Sequence, residues 1–339
     1  MRRSDLPSAR VARGTIHKES GIVHELAGSL PAEGFRHVGL LYAGDDDFLA
    51  STAAFVRDGL AAREPTLAVL SADKIDRLRG ALGADAAEVQ FADRGAVGAN
   101  PARIIPAWAE FLDAHAGSGR QVRGIGEPVT SSRSSAELVE CQHHESLLNL
   151  AFDDQPAFLL LCPYDTEALA PALIDEARRS HPFLEEAGAP LRSPDYRQVT
   201  QPLSPAAHPL PAPAATPVEL ALEPGSLTGL RSFVARRARE EGLSQERTDD
   251  LVLCVNEVAS NSLLYGGAYS TVRFWREQRT VICEVRDRGH FNQPLAGRRL
   301  PDVEDEGRRG LWMVNQLCDL VQVRSSPDGT TVRLHVADF

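Results

Sequence analysis

Leu251-Val-Leu-Cys-Val-Asn-Glu-Val-Ala-Ser-Asn-Ser-Leu-Leu-Tyr-Gly-Gly267 reads as one helix, and the second half of the chain is organised around it. Leu251, Val255, Val258 and Ser262 recur at i, i+4, i+7 and i+11, a core-facing stripe. Glu257 and Asn261 stand four apart, so they stack on one face a turn apart. A carboxylate and a carboxamide on a mostly apolar helix are costly unless something satisfies them. Gly266-Gly267 ends the helix as a C-cap signal.

Working outward, Val218–Leu222 alternates like a strand, and Ser226 can cap a helix to about Glu241 with Leu230, Phe233 and Val234 as its core stripe. Ser244 opens the central helix. Strands follow at Ser270–Trp275 and Thr280–Arg286, then a charged loop from about His290 to Arg309. Gly310–Asp319 is a helix, Leu320–Arg324 a strand, Ser325–Gly329 a turn and Thr330–Val336 the closing strand. The expectation is an α/β sandwich: a mixed sheet with its helices on one face.

The polar residues of this half suit magnesium-bound ATP. Mg²⁺ on a triphosphate takes few protein ligands, and the neutral amide of Asn261 adds no repulsion to the phosphates. Glu257, one turn away, is placed to accept a proton from an attacking hydroxyl or water. Asp287 ends a strand and can accept from the exocyclic amine of adenine, where guanine presents an acceptor, so ATP is preferred over GTP. Gly289 leaves room for the base. Gly307-Arg-Arg-Gly310 opens a helix whose free N–H groups favour phosphate, with Arg308 and Arg309 as charge-assisted contacts. Thr330 after Gly329 can reach the adenine side through a water. A helix-surface Asn, solvated loop arginines and an ordinary strand Thr are the plainer accounts of Asn261, Arg308–Arg309 and Thr330.

The order Glu-x-x-x-Asn, Asp-x-Gly, Gly-x-x-Gly-Leu, Gly-Thr resembles the GHKL (Bergerat) ATPase fold, and within it the RsbW/SpoIIAB-type anti-sigma serine/threonine kinases, over 217–339. Arg309-Gly-Leu-Trp312 is part of that match. The resemblance implies Glu257 as catalytic base, Asn261 as Mg²⁺ ligand, Asp287 and Gly289 at adenine, and Gly310 and Leu311 on the phosphate side. It departs at Arg308, where the family usually has glycine, with Gly307 displaced by one. It also implies a sigma factor and an anti-sigma-factor antagonist with a STAS domain as partners, and dimerisation through the ATPase domain.

The first half reads differently. From His37, apolar runs at 38–42, 66–70, 88–91, 122–125 and 158–162 alternate with helical patterns at 47–61, 73–82, 101–115, 135–150 and 167–180. That is a parallel sheet covered on both faces, with ligands expected at the strands' carboxyl ends. No GxxxxGK[ST] is present, and Gly124-x-Gly126 reads as a turn. His143 and His144 point to different faces of a helix read as a solvated surface with one buried polar contact, so no metal site is assigned to them. His37, Glu145 with Asn149, Cys162-Pro-Tyr-Asp165 and His181-Pro182 carry a resemblance to the MEDS sensory domain over about 35–187. It implies an unidentified small-molecule ligand, with His37, Tyr42, Glu145, Asn149, Tyr164 and Asp165 as candidate contacts.

Residues 1–34 have weak periodicity and read as a flexible segment; His24-Glu25-Leu26 within them resembles a phosphoacceptor box only by three residues. Residues 188–216 are rich in Pro, Ala and Ser and read as an extended linker that could separate the halves by tens of ångströms, leaving a movable contact or an oligomer rather than a rigid interface to join them. Among 339 residues, 43% are hydrophobic and 24% charged, and the net charge of −11 argues against nucleic-acid or anionic-membrane partners. The five cysteines form no CxxC pair and read as buried thiols rather than disulfides or zinc ligands. No secretory signal or membrane-length apolar run is visible, so a cytoplasmic location is expected. Sensor, linker and kinase together resemble the RsbA-type anti-sigma regulators, a ligand-responsive serine/threonine kinase. The serious alternative is a non-enzymatic ATP- or partner-binding switch. A sensor histidine kinase lacks its phosphoacceptor, since 226–243 contains no His, and a DNA-binding repressor lacks a basic recognition helix.

Overall fold

Val38, Leu40 and Tyr42 alternate along the first strand with His37, Gly39 and Leu41, so both faces of the strand meet a helix layer. The strand is β1 (Gly34–Tyr42), and His37 lies inside it rather than before it. The computed structural model describes residues 34–155, 157–186, 188–197, 209–267, 270–301 and 309–337. His24-Glu25-Leu26 and Gly307-Arg308 fall outside the described residues.

β1 belongs to a sheet with β2 (Thr66–Leu70), β3 (Gln90–Asp93), β4 (Val122–Gly126), β5 (Ala157–Asp165), β6 (Phe183–Glu185) and β7 (Leu191–Arg192), in the order β3-β2-β4-β5-β1-β6-β7. All pairs are parallel except β6–β7. Residues of α1 (Gly44–Ala61) and α2 (Ala72–Leu82) pack one face; those of α4 (Ile104–His115), α5 (Ser135–Ala151) and α6 (Pro171–Ser180) pack the other. Between β3 and α4 runs a short α3 (Arg94–Gly98), and Pro101–Arg103 forms a 3-10 turn where a single helix from Pro101 was expected. Gly124 and Gly126 are strand residues, not a turn: a Cβ on Gly124 would stand 2.9 Å from the Trp108 ring, so the glycines admit the indole. A capping box fixes the start of α5: Ser134 Oγ accepts from Glu137 N–H, and Glu137 accepts from Ser134 N–H at 2.8 Å.

The second sheet joins β8 (Val218–Leu222), β9 (Ser270–Glu277), β10 (Thr280–Asp287), β11 (Leu320–Ser326) and β12 (Gly329–Ala337) in the order β11-β12-β10-β9-β8. Every pairing is antiparallel, so the expected mixed sheet is corrected: each connection is a hairpin or a return around a helix, and none is a parallel crossover. One face packs on α7 (Leu227–Glu240), α8 (Gln245–Tyr265) and α9 (Arg309–Leu317). The stripe Leu251, Val255, Val258 and Ser262 is buried there. Ser244 Oγ caps α8 by accepting from Arg247 N–H at 3.3 Å. Ser226 makes no such bond; its hydroxyl instead donates to Glu223 C=O at 2.6 Å.

The two halves are not held apart. Asn100 donates to the C=O of Asn315 at 3.1 Å, and Arg103 donates to the carbonyls of Asn315, Gln316 and Cys318 at 2.9, 2.6 and 3.0 Å, capping the carboxyl end of α9. Glu140 of α5 accepts from Arg324 at 2.6 Å and lies 3.6 Å from Arg298. Leu295 packs on the first domain's core, and Arg299 donates to Ala151 C=O at 2.7 Å. The linker's described end also binds the second sheet, with Pro211 C=O accepting from Arg333 at 2.9 Å.

Candidate functional site

α8 carries Glu257 and Asn261 on one face, four residues apart, and Gly266 at its carboxyl end. Asn261 donates to Glu257 Oε1 at 3.2 Å, and both side chains are half-buried. A Cβ on Gly310 would fall 1.9 Å from Glu257 Oε1, so the first turn of α9 lies directly on that carboxylate. Two turns on, α8 ends against β10. A Cβ on Gly266 would meet Asp287 at 2.5 Å, and one on Gly289 would meet Tyr265 C=O at 2.7 Å. Asp287 Oδ1 accepts from Gly289 N–H at 2.8 Å, and Thr330 Oγ donates to Gly289 C=O at 2.8 Å. Asp287 and Thr330 are register partners across β10 and β12. Gly329, at φ +132°, leaves a Cβ only 2.0 Å from Asp287 C=O, so only glycine fits that approach. With a rise of about 1.5 Å per residue, Glu257 and Gly266 stand about 14 Å apart along α8. The helix therefore meets glycine backbone at both places, Gly310 at Glu257 and Gly289 at its carboxyl end. Arg309 is exposed and Leu311 half-buried at the start of α9; Gly307 is outside the described residues.

The sensor candidates divide into two groups. His37, Glu145, Asn149 and Tyr164 meet on the α5/α6 side of the first sheet, joined by Cys162 and His181. His37 Nε2 lies 3.1 Å from Glu145 Oε2 and 3.2 Å from Cys162 Sγ, and His181 Nε2 lies 3.0 Å from Glu145 Oε2. Tyr164 packs edge-on to His181 at 5.4 Å. Glu145, Cys162 and the two histidines are at most 1% exposed. Burial first, then His181, lowers His37 to about 4. Burial acts upward on the Glu145 carboxyl, but hydrogen bonding and charge from His181 and His37 outweigh it and hold it below the usual carboxylate range. Burial and then Glu145 push the Cys162 thiol and the Tyr164 phenol upward.

Tyr42 and Asp165 lie elsewhere, in a cleft of about 230 Å³ at the carboxyl end of the sheet shared with Lys74, Glu127, Ser71 and Arg94. Lys74 pairs with Glu127 and donates to Tyr42 Oη at 2.6 Å. Burial raises the Glu127 carboxyl despite Lys74.

Residues 36–182 match the family model for MEDS, the methanogen/methylotroph DcmR sensory domain, and residues 220–336 match that of the histidine kinase-like ATPase domain. The chain joins a MEDS sensory domain to a histidine kinase-like ATPase domain. The second half is thus an ATP-binding domain and the whole an ATP-binding regulatory module. No curated protein matches the chain. Among solved structures, the crystal structure of the RsbU and RsbW domains of Rv1364c from Mycobacterium tuberculosis is similar at 18% identity and a TM-score of 0.29. The similarity covers 36% of this chain and 32% of that one, so it spans about a third of that chain's length. Among the described residues, no helix is long and apolar enough to cross a membrane.

From sequence, α5 reads as a solvated surface with one buried polar contact; the structure buries three polar residues of this helix, Glu140, His144 and Glu145. His144 and Glu145 are buried toward the MEDS sheet, while Glu140 is buried toward the ATPase domain. His143 is lowered well below its ordinary value by burial and then by Arg298 and Arg324 of the ATPase domain. Cys162 and His181 entered only as marks of family resemblance, and Lys74 carried no local signal. Asn100, Arg103, Glu140, Arg298 and Arg324 act between domains, so nothing in their own neighbourhoods announced them.

Proposed function

We propose that the chain is a ligand-responsive anti-sigma factor. Its ATPase domain binds Mg-ATP, phosphorylates a Ser or Thr of a STAS-domain antagonist and sequesters a sigma factor, so regulating transcription. The observation that carries this reading is the Glu257–Asn261 pair on α8 together with the Asp287–Gly289–Thr330 cluster packed where that helix ends, within a histidine kinase-like ATPase domain. In this role Glu257 is the base, Asn261 the Mg²⁺ ligand, and Asp287, Gly289 and Thr330 the adenine contacts. Gly307, Arg309, Gly310 and Leu311 serve the phosphates. The chain is read as a segment 1–34, a sensor 35–187, a linker 188–216 and a kinase-like domain 217–339. The sensor's small-molecule ligand fits the cleft holding Tyr42 and Asp165. Responsiveness is supported by α5, which touches His37 through Glu145 and the loop 292–301 through Ala151 and Glu140.

A second reading, an ATP-binding switch without phosphotransfer, is favoured by the contact of Gly310 with the Glu257 carboxylate. Calorimetric titration of the full chain with Mg-ATP and Mg-GTP tests both readings. The expected outcome is ATP binding weakened tenfold or more by Asn261→Ala, about 1.4 kcal/mol, with little GTP binding. Phosphate transfer from ATP to a STAS protein, absent in Glu257→Gln, selects the kinase; ATP binding without transfer selects the switch. No ATP binding at millimolar concentration overturns both.

A further inference from the structure

The buried quartet of the MEDS domain has a proton problem. Asn149 Nδ2 donates to Ser180 C=O at 2.7 Å, which leaves its Oδ1, 3.2 Å from His37 Nδ1, as the acceptor. His37 therefore carries its proton on Nδ1. His181 Nδ1 lies 2.8 Å from Ala177 C=O, an atom that only accepts, so it is protonated there as well. Both rings thus turn Nε2, which on a neutral imidazole is a bare lone pair, into the cluster: both toward the Glu145 carboxylate, and His37 toward the Cys162 sulfur as well. Glu145 Oε1 has no hydrogen-bond partner of its own despite complete burial. The Cys162 thiol has one proton to give, so two lone-pair nitrogens and a carboxylate converging in a sealed site remain short of donors unless a positive charge sits among them.

We propose that His37, Glu145, Cys162 and His181 form a divalent transition-metal site, with zinc the ion that best fits the donor set. Their ligand atoms lie within 4.8 Å of one another. Metal–ligand bonds of about 2.0–2.3 Å in a tetrahedron need ligand–ligand edges of about 3.3–3.7 Å. The three recorded separations of 3.0 to 3.2 Å open to that range with shifts of a few tenths of an ångström, and the remaining pairs, all within 4.8 Å, settle toward it as the ion draws the four groups together. Imidazole and thiolate together suit zinc or its Co²⁺ surrogate over magnesium or calcium. Both histidines also donate their other ring N–H to an oxygen, the outer-shell arrangement that orients metal-bound imidazole. Charge balance suits the burial: a divalent ion with one carboxylate and one thiolate is neutral. The ion takes a lone pair from each ligand, and the Cys162 proton is released to solvent on binding, with no change of oxidation state. A void of about 10 Å³ touching Glu145 and Cys162 has room for about one water beside the ion. This site stands independently of whether the ATPase domain transfers phosphate.

The competing account is a buried histidine–carboxylate–histidine cluster held together by protons alone. The test treats the full-length chain with chelator and titrates it anaerobically with Co²⁺. The site predicts binding of about one equivalent and a near-ultraviolet thiolate-to-cobalt band, both displaced by Zn²⁺. The band should vanish in Cys162→Ser and persist in Cys141→Ser, a buried thiol in the same domain that donates to Pro128 C=O. Asn149→Ala, which removes the acceptor of His37 Nδ1–H along with a bond to Ser180 C=O, should weaken binding about 10–100-fold. A natively folded wild-type chain that binds no Co²⁺ overturns the site. So does binding without the thiolate band, or a band that survives Cys162→Ser, and neither reading of the wild-type titration depends on a variant folding.

Discussion

Glu-x-x-x-Asn occurs on two long helices of this chain, as Glu145/Asn149 on α5 and Glu257/Asn261 on α8, and the two pairs have opposite fates. On α8 the pair closes on itself: Asn261 donates to Glu257, and both remain half-buried. On α5 the pair is pulled apart by its surroundings. Glu145 turns to His37 and His181, while Asn149 accepts from His37 and donates to Ser180. Spacing sets only that the two side chains share a face. What that face meets decides whether they form an open site or a sealed network: glycine-walled backbone for α8, a β-strand bearing histidine for α5.

The strongest way to break this comparison is to remove each carboxylate in turn. Glu145→Ala removes the carboxylate that the Nε2 atoms of two buried imidazoles face, leaves both without a partner, and should cost about 3–5 kcal/mol of MEDS-domain stability. Glu257→Ala should cost under about 1 kcal/mol, because its partner is half-exposed and can reach water. Urea midpoints of the two variants measure the contrast, and equal losses would sink it.

The principle that burial, not sequence spacing, sets the cost extends to His335 on β12. Burial first, and Arg333 next, lower its folded value to about 4 from 6.5. The unfolded chain takes up a proton as pH falls below 6.5, and the folded chain refuses it until about 4. Stability is therefore flat above that window and falls with pH inside it, by on the order of 3 kcal/mol. His335→Gln, which can keep the bond to Gln322, should show a shallower fall between pH 7 and 4.5 in chemical denaturation; parallel curves would remove His335 from the account.

The smallest effect sharpens the open end of the comparison. Gly310→Ala places a methyl on the Glu257 carboxylate and forces α9 or the side chain to move. The expected cost is about 1–2 kcal/mol, read as a roughly tenfold or greater loss of ATP affinity with little change in the MEDS domain's melting. Unchanged affinity would mean that α9 leaves Glu257 freely when nucleotide binds.

Much of the architecture was legible because it rests on periodicity. The 3.6-residue stripe of α8 and the doubly apolar runs Val38–Tyr42 and Phe158–Cys162 announce a helix and two buried strands from local sequence alone. Glu257 and Asn261 could be paired on the same ground, since both lie on one element. Strand direction in the second sheet was not legible, because hydrogen-bond partners come from distant segments and alternation is the same in either sense. Nor was the contact between the domains. A Pro-rich linker says nothing about where its ends dock, and Glu140 reads as an ordinary helix carboxylate until Arg324 and Arg298 arrive beside it.

By itself, then, the sequence determined two α/β layers, the helix that carries Glu257 and Asn261, and the glycines that keep Asp287 close to backbone. Each follows from the stereochemistry of a few consecutive residues. Tertiary structure alone decided that His37, Glu145, Cys162 and His181 share one centre, and that α5 bridges that centre to the ATPase domain. Those groups lie up to 144 positions apart along the chain (His37 to His181). Their meeting is fixed by the parallel register of β1 on β5 and the packing of α5 and α6 over both strands, which no local pattern encodes.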